Sequence, residues 1–151
     1  MIGKTDNKHI LALFDDYCKR LQHYVSFEFS FIPDLKNSKN LSLIQQKEIE
    51  GDLLLKYLDQ TDEIILLDEK GTYYKSTEFA EFLEKKTLLS AKRLVFVIGG
   101  AYGFSQRVYE RANAQIALSK MTFSHQMVRL IFVEQLYRAF TIVKGEKYHH
   151  E

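Results

Sequence analysis

Leu94-Val95-Phe96-Val97-Ile98-Gly99-Gly100-Ala101-Tyr102-Gly103-Phe104-Ser105 carries more structural information than any other stretch of this chain. Five consecutive apolar residues, mostly β-branched or aromatic, run into three glycines and then a serine suited to start a helix. The unbroken apolar run reads as a strand covered on both faces, the pattern of parallel α/β sheets. Glycines at the carboxyl end of such a strand let backbone approach a ligand where Cβ atoms collide. Open α/β sheets bind ligands at that end, so a ligand site is expected beside Gly99, Gly100 and Gly103.

The flanking sequence extends this pattern. Glu63-Ile64-Ile65-Leu66-Leu67-Asp68 reads as a second buried strand, with Glu69-Lys70-Gly71 as its turn. Val25, Phe27, Phe29 and Phe31 alternate with polar residues as in a strand with one buried face, ended by Pro33. Asp6 or Asn7 is placed to cap a helix whose Ile10, Leu13, Phe14, Tyr17 and Leu21 form one stripe. Asp34 to Asn40 is a polar loop. Leu41 to Leu58 has a helical pattern interrupted by Gly51, and Ser76 is placed to cap a helix that turns Phe79, Phe82 and Leu83 inward. Further helices are expected from Ser105 and from His125 to Thr141. Strands alternating with helices predict one α/β domain over residues 1–151, a parallel-type sheet flanked by helices.

Composition narrows the function classes. Of the 151 residues, 46% are hydrophobic, enough for a real core in a chain this size. The single Cys18 excludes an internal disulfide, and a buried, inert thiol is its plainer reading. No apolar run reaches membrane-spanning length and no charged-then-apolar leader opens the chain, so a cytoplasmic protein without membrane contact is expected. The formal charge is only +1, so any nucleic-acid binding needs locally concentrated charge. Arg129, Arg138, Lys144, Lys147, His149 and His150 supply it in the last quarter.

Phosphate-cradle motifs fail: the Gly99 to Gly103 run lacks the Lys-Ser/Thr of a P-loop and the Gly-x-Gly-x-x-Gly spacing. A Gly-Gly pair after a strand is as compatible with a tight turn as with a ligand cradle. Met127, Val128, Ile131, Phe132, Val133 and Leu136 give the last helix wide apolar coverage. It packs either on both a sheet and a second subunit or as the most buried helix of a monomer. Arg129 and Arg138 amid these residues need a carboxylate partner or a phosphate ligand, and a Glu–Arg pair is the plainer reading. Tyr148-His149-His150-Glu151 has no metal-ligand spacing, so no metal is expected.

Taken in order, several motifs resemble the bacterial large-subunit (23S) rRNA pseudouridine N3-methyltransferases, a minimal single-domain family of the SPOUT class. They are Leu66-Leu67-Asp68, Ile98-Gly99-Gly100-Ala101-Tyr102-Gly103, Leu118-Ser119 through Ser124-His125, Val128-Arg129, Glu134-Gln135-Leu136-Tyr137-Arg138-Ala139 and Tyr148-His149-x-Glu151. Each alone is weak; the ordered set covers nearly the whole chain. The resemblance implies a carboxyl-terminal trefoil knot, a homodimer, the ribosome as partner and S-adenosylmethionine as methyl donor. Carried over by position, the donor contacts fall at Leu67, Gly100, Ser119, Lys120, Met121, Thr122, Phe123 and Ser124. His149, Tyr148 and Arg138 become the candidate catalytic residues, and His125, Arg129 and His150 the candidate RNA contacts. The family carries an apolar strand before the Ile-Gly-Lys turn, so Met1-Ile2 implies a shortened first strand. His150 stands where the family often has arginine, which weakens one phosphate contact at neutral pH. The competing readings are a SPOUT enzyme for another RNA nucleotide, a non-catalytic ribosome-binding factor and a flavodoxin-like nucleotide-binding domain.

Overall fold

In chain order the elements are α1 (Lys8–Leu21), α2 (Leu43–Lys56), β1 (Glu63–Tyr73), α3 (Ser76–Leu89), β2 (Leu94–Ile98), α4 (Gln106–Arg111), β3 (Ala114–Ala117) and α5 (His125–Val143). They come from a computed structural model that describes residues 1–33, 35, 40–89 and 93–148. The chain gathers into two units that interleave in sequence. The first comprises Met1–Lys4, Phe29–Thr72 and Lys92–Lys120, and the second Thr5–Glu28, Tyr73–Ala91 and Met121–Glu151.

The first unit is built on the sheet, with strand order β2-β1-β3. The expected parallel pairing is present: β1 and β2 run from Glu63 opposite Leu94 to Leu67 opposite Ile98. Ile64, Leu66 and Val97 meet Leu54 of α2, Phe104 and Val108 of α4 in one buried cluster with Ile2 and Ile32. Ile2 lies beside β2. Its N–H donates to the Ile98 carbonyl at 3.2 Å, and it bridges Ile32 in parallel.

Two strand expectations are corrected, and one strand is new. Glu69-Lys70-Gly71 is not a turn, because β1 continues through it to Tyr73. Gly71 lies there because a Cβ would sit 2.5 Å from the Ile116 backbone nitrogen. Residues 27–31 form no strand despite their alternation: only Ile32 makes a bridge, and Phe29 remains exposed with its ring edge-on to Phe31 at 5.3 Å. The short β3 has no counterpart in the sequence reading.

The helices follow it more closely. Asn7 caps α1 by accepting from the His9 and Ile10 N–H groups. Ser42 and Gln45 make a reciprocal capping box on α2, which passes through Gly51 without a break. For α3 the cap is shifted: the Lys75 N–H donates to the Glu78 carboxylate at 2.7 Å, and Ser76 is already helical. In the second unit α5 packs against both α1 and α3, and it buries Phe132, Val133, Leu136 and Ala139. Part of its apolar coverage is thus used within its own unit, while Met127 remains exposed. Residues 34 and 36–39 of the polar loop, and His149, His150 and Glu151, lie outside the described residues. Among the described residues no helix is long and apolar enough to cross a membrane.

Candidate functional site

The glycine run after β2 is a tight turn in which each glycine has its own reason. A Cβ on Gly99 would press on the Phe104 ring at 3.0 Å. One on Gly100 would lie 2.5 Å from Glu50 Oε2. Gly103 adopts φ +79°, which side chains disfavour, and its N–H donates to the Gly100 carbonyl at 3.2 Å. The side chain facing Gly100 comes from α2. Glu50 is only 5% exposed, and its Oε1 accepts from Gln46 Nε2 at 2.9 Å. Its Oε2 has no hydrogen-bond partner among the described residues, and neither has the buried Ser105 Oγ at the end of the turn.

Leu67 occupies the last position at which β1 pairs with β2, opposite Ile98, level with the start of the glycine turn. The next residue is fully engaged. Asp68 Oδ1 accepts from the Lys70 N–H at 2.9 Å and Oδ2 from the Tyr109 hydroxyl at 2.5 Å. Burial, reinforced by this carboxylate, pushes the Tyr109 hydroxyl up to about 12. The bond ties α4 to β1 and fixes the backbone around Leu67. Ser119, half-buried, and Lys120, exposed, follow β3 by two and three residues. The first unit therefore carries four of the expected donor positions, three of them at or just beyond strand ends.

In the second unit Met121, Thr122, Phe123 and Ser124 lead into α5, all exposed. Ser124 Oγ caps the helix by accepting from the Met127 N–H at 3.3 Å. His125 is exposed as an RNA contact needs. Arg129 is not: it is 1% exposed, and its Nη1 donates to Thr5 Oγ1 at 2.9 Å. Reaching a phosphate from there requires rearrangement. Arg138 makes the plainer Glu–Arg pair, with Nη2 2.5 Å from Glu134 Oε1.

The chain end is docked as far as Tyr148. Its ring packs edge-on against Tyr137 at 4.9 Å and lies under the Arg138 guanidinium at 4.8 Å. Its hydroxyl donates to Glu134 Oε1 at 3.1 Å and lies 3.2 Å from the Tyr17 hydroxyl. Burial, together with Tyr17 and Glu134, raises the Tyr148 hydroxyl well above its ordinary value. At neutral pH it keeps its proton and serves as a donor. Among the described residues no His, Cys, Asp and Glu cluster suits a metal ion.

Sequence reasoning missed Glu50. The available signal was a carboxylate in line with Leu54 and Leu58 at helical spacing, a charge where the helix should be apolar.

Fold and site together define an α/β protein in which a parallel β1–β2 pair runs into a tight glycine turn. The chain belongs to the family described as predicted SPOUT methyltransferase, whose model matches residues 1–149. It is 58% identical over 149 residues to the ribosomal RNA large subunit methyltransferase H of Christiangramia forsetii, covering 99% of this chain and 95% of that protein. The protein of the same name from Parabacteroides distasonis is 57% identical over 151 residues, covering 100% and 96%. A solved structure, Archaeoglobus fulgidus Nep1 bound to S-adenosylhomocysteine, is similar over 56% of this chain and 35% of that one, at 14% identity and TM-score 0.35.

Proposed function

We propose that this protein transfers a methyl group from S-adenosylmethionine to N3 of a pseudouridine in 23S ribosomal RNA, acting in the cytoplasm as a homodimer. Near-full-length identity to relatives named ribosomal RNA large subunit methyltransferase H carries the reading. The chemistry of the first unit supports it. Glu50 Oε2 and Ser105 Oγ are buried acceptors without partners among the described residues, and a ligand rich in hydroxyl and amino groups fits them. We assign donor contacts to backbone at Leu67, Gly100, Ser119 and Lys120. The run Met121 to Ser124 is assigned to the same task, with exposed Met121 and Phe123 offering apolar surface.

When bound, the donor supplies an electrophilic methyl on a sulfonium. N3 of pseudouridine holds a proton that must leave before its lone pair can attack, so the protein's work is alignment and proton removal. Tyr148 holds its own proton and is unsuited to accept another at neutral pH. The accepting role falls to His149, an imidazole side chain of the kind that most often does general-base work. Tyr148, Glu134 and Arg138 anchor the chain from which His149 extends. RNA phosphates meet exposed polar and basic side chains of the second unit, among them His125, Lys144 and Lys147, and His150 is assigned the same role.

The test is mass-spectrometric mapping of 23S rRNA from a strain lacking this protein, with and without complementation. Loss and restoration of N3-methylpseudouridine is the expected result. Unchanged methylation contradicts the assignment, and loss at a different nucleotide favours the SPOUT enzyme of another specificity.

A further inference from the structure

We propose that Glu50 is a donor-binding residue: its free carboxylate oxygen accepts a hydrogen bond from a hydroxyl or ammonium group of S-adenosylmethionine. The inference rests on reading the glycine turn as the donor site, and it assigns a side chain to a site otherwise built from backbone.

A carboxylate is costly to bury and, when ionised, can only accept hydrogen bonds. Two further carboxylates of this unit, the half-buried Asp68 and the buried Asp62, have both oxygens occupied. Glu50 differs. Gln46, one turn earlier on α2, supplies Oε1 with a donor at 2.9 Å, which holds the side chain in place. Oε2 is left aimed at Gly100, with no partner among the described residues. The missing Cβ of Gly100 is what admits this oxygen to the turn, because any larger residue would occupy the place 2.5 Å from it. A glycine kept open and a carboxylate oxygen filling the opening form an acceptor built into the turn. Its complement is an N–H or O–H group, and the methyl donor carries both kinds in its ammonium and its ribose diol.

A purely structural Glu50 and a ligand-binding Glu50 respond in opposite ways to Glu50→Gln. Removing a buried, half-satisfied charge should leave the ligand-free melting temperature equal or higher, whereas a structural acid would lower it. Calorimetric titration with S-adenosylhomocysteine and with 5′-methylthioadenosine gives the second readout. The latter keeps the ribose but lacks the amino-acid part. Wild type should bind S-adenosylhomocysteine, and Glu50→Gln should bind it roughly ten- to a hundredfold more weakly, the scale of one hydrogen bond to a charged group. The same loss with 5′-methylthioadenosine places the group held on the nucleoside part. A loss confined to S-adenosylhomocysteine identifies the ammonium. Glu50→Ala, which relieves the crowding at Gly100, should show the same loss of affinity. Unchanged affinity in folded variants overturns the proposal, as does failure of both variants to fold. Wild-type protein that binds neither compound overturns the donor-site reading itself.

Discussion

At the scale of single residues, Gly100 and Glu50 form one unit. Sequence alone leaves the glycine open between a tight turn and close ligand approach, and the structure puts a protein carboxylate against it. Gly100→Ala should therefore destabilise the protein before any ligand is added, by about 1–3 kcal/mol as overpacking does. Glu50→Ala should recover much of that loss, so chemical denaturation of the double variant should show strong coupling. Strict additivity would mean the two side chains do not compete for the same space. Cys18 was legible from composition: it is buried, and burial with Asp15 nearby pushes its thiol up to about 12. Arg129 was not, because an arginine among apolar residues does not reveal whether its partner is a phosphate or, as here, Thr5. Tyr148 gives a further discrimination. Tyr148→Phe keeps the ring packing and should leave single-turnover methylation within a few-fold of wild type. His149→Ala should cost on the order of a hundredfold or more, the scale of a positioned base. A collapse of the rate in Tyr148→Phe would return the proton-accepting role to the tyrosine.

Among the elements, strands were harder to read than helices. Helix caps announce themselves locally, as Asn7, Ser42 and Ser124 do. A strand is stabilised by its neighbours. Asp68-Glu69-Lys70-Gly71 has turn composition, yet it continues β1 because the Ile116 backbone passes beside Gly71. Ala114–Ala117 has too few β-formers to stand out, and it follows Asn113, which exchanges hydrogen bonds with the Ile64 backbone at 2.8 Å in each direction. The starts of β1 and β2 are joined by a charged clamp. Arg93 Nε and Nη2 donate to the two Asp62 oxygens at 2.9 and 2.6 Å, and Asp62 also accepts from the Asp59 N–H at 2.8 Å. The Arg93 hydrogen bonds hold the Asp62 carboxyl below its usual value despite its burial. A carboxyl depressed in the folded state stabilises above its unfolded value, near pH ~4, and the gain fades as pH falls through the folded value. Asp62→Asn should cost about 1–3 kcal/mol at pH 7, and the gap to wild type should narrow in denaturation series taken toward pH 3. A gap independent of pH would mean the pair contributes nothing through charge.

For the whole molecule, the α/β class and the position of the glycine turn could be read from Leu94 to Ser105, since a buried strand ending in glycines constrains both. The broad apolar coverage of α5 left two explanations open. Its contacts with α1 and α3 account for the buried residues, while Met127 and Val143 on α5 and Leu13 on α1 remain exposed. The proposed homodimer predicts sedimentation at twice the chain mass at micromolar concentration, and a charge at Met127 or Leu13 should weaken it. A wild-type monomer under those conditions would contradict it. The enzymatic claim is tested most directly by single-turnover methyl transfer with purified protein. Ribosomes from the strain lacking this protein would be supplied with S-adenosylmethionine labelled in the methyl group. One methyl per ribosome is expected, recovered on N3 of a pseudouridine in 23S rRNA and absent when the protein is omitted. Labelled donor that binds the protein yet delivers no methyl to the rRNA would contradict it and leave a ribosome-binding factor in its place.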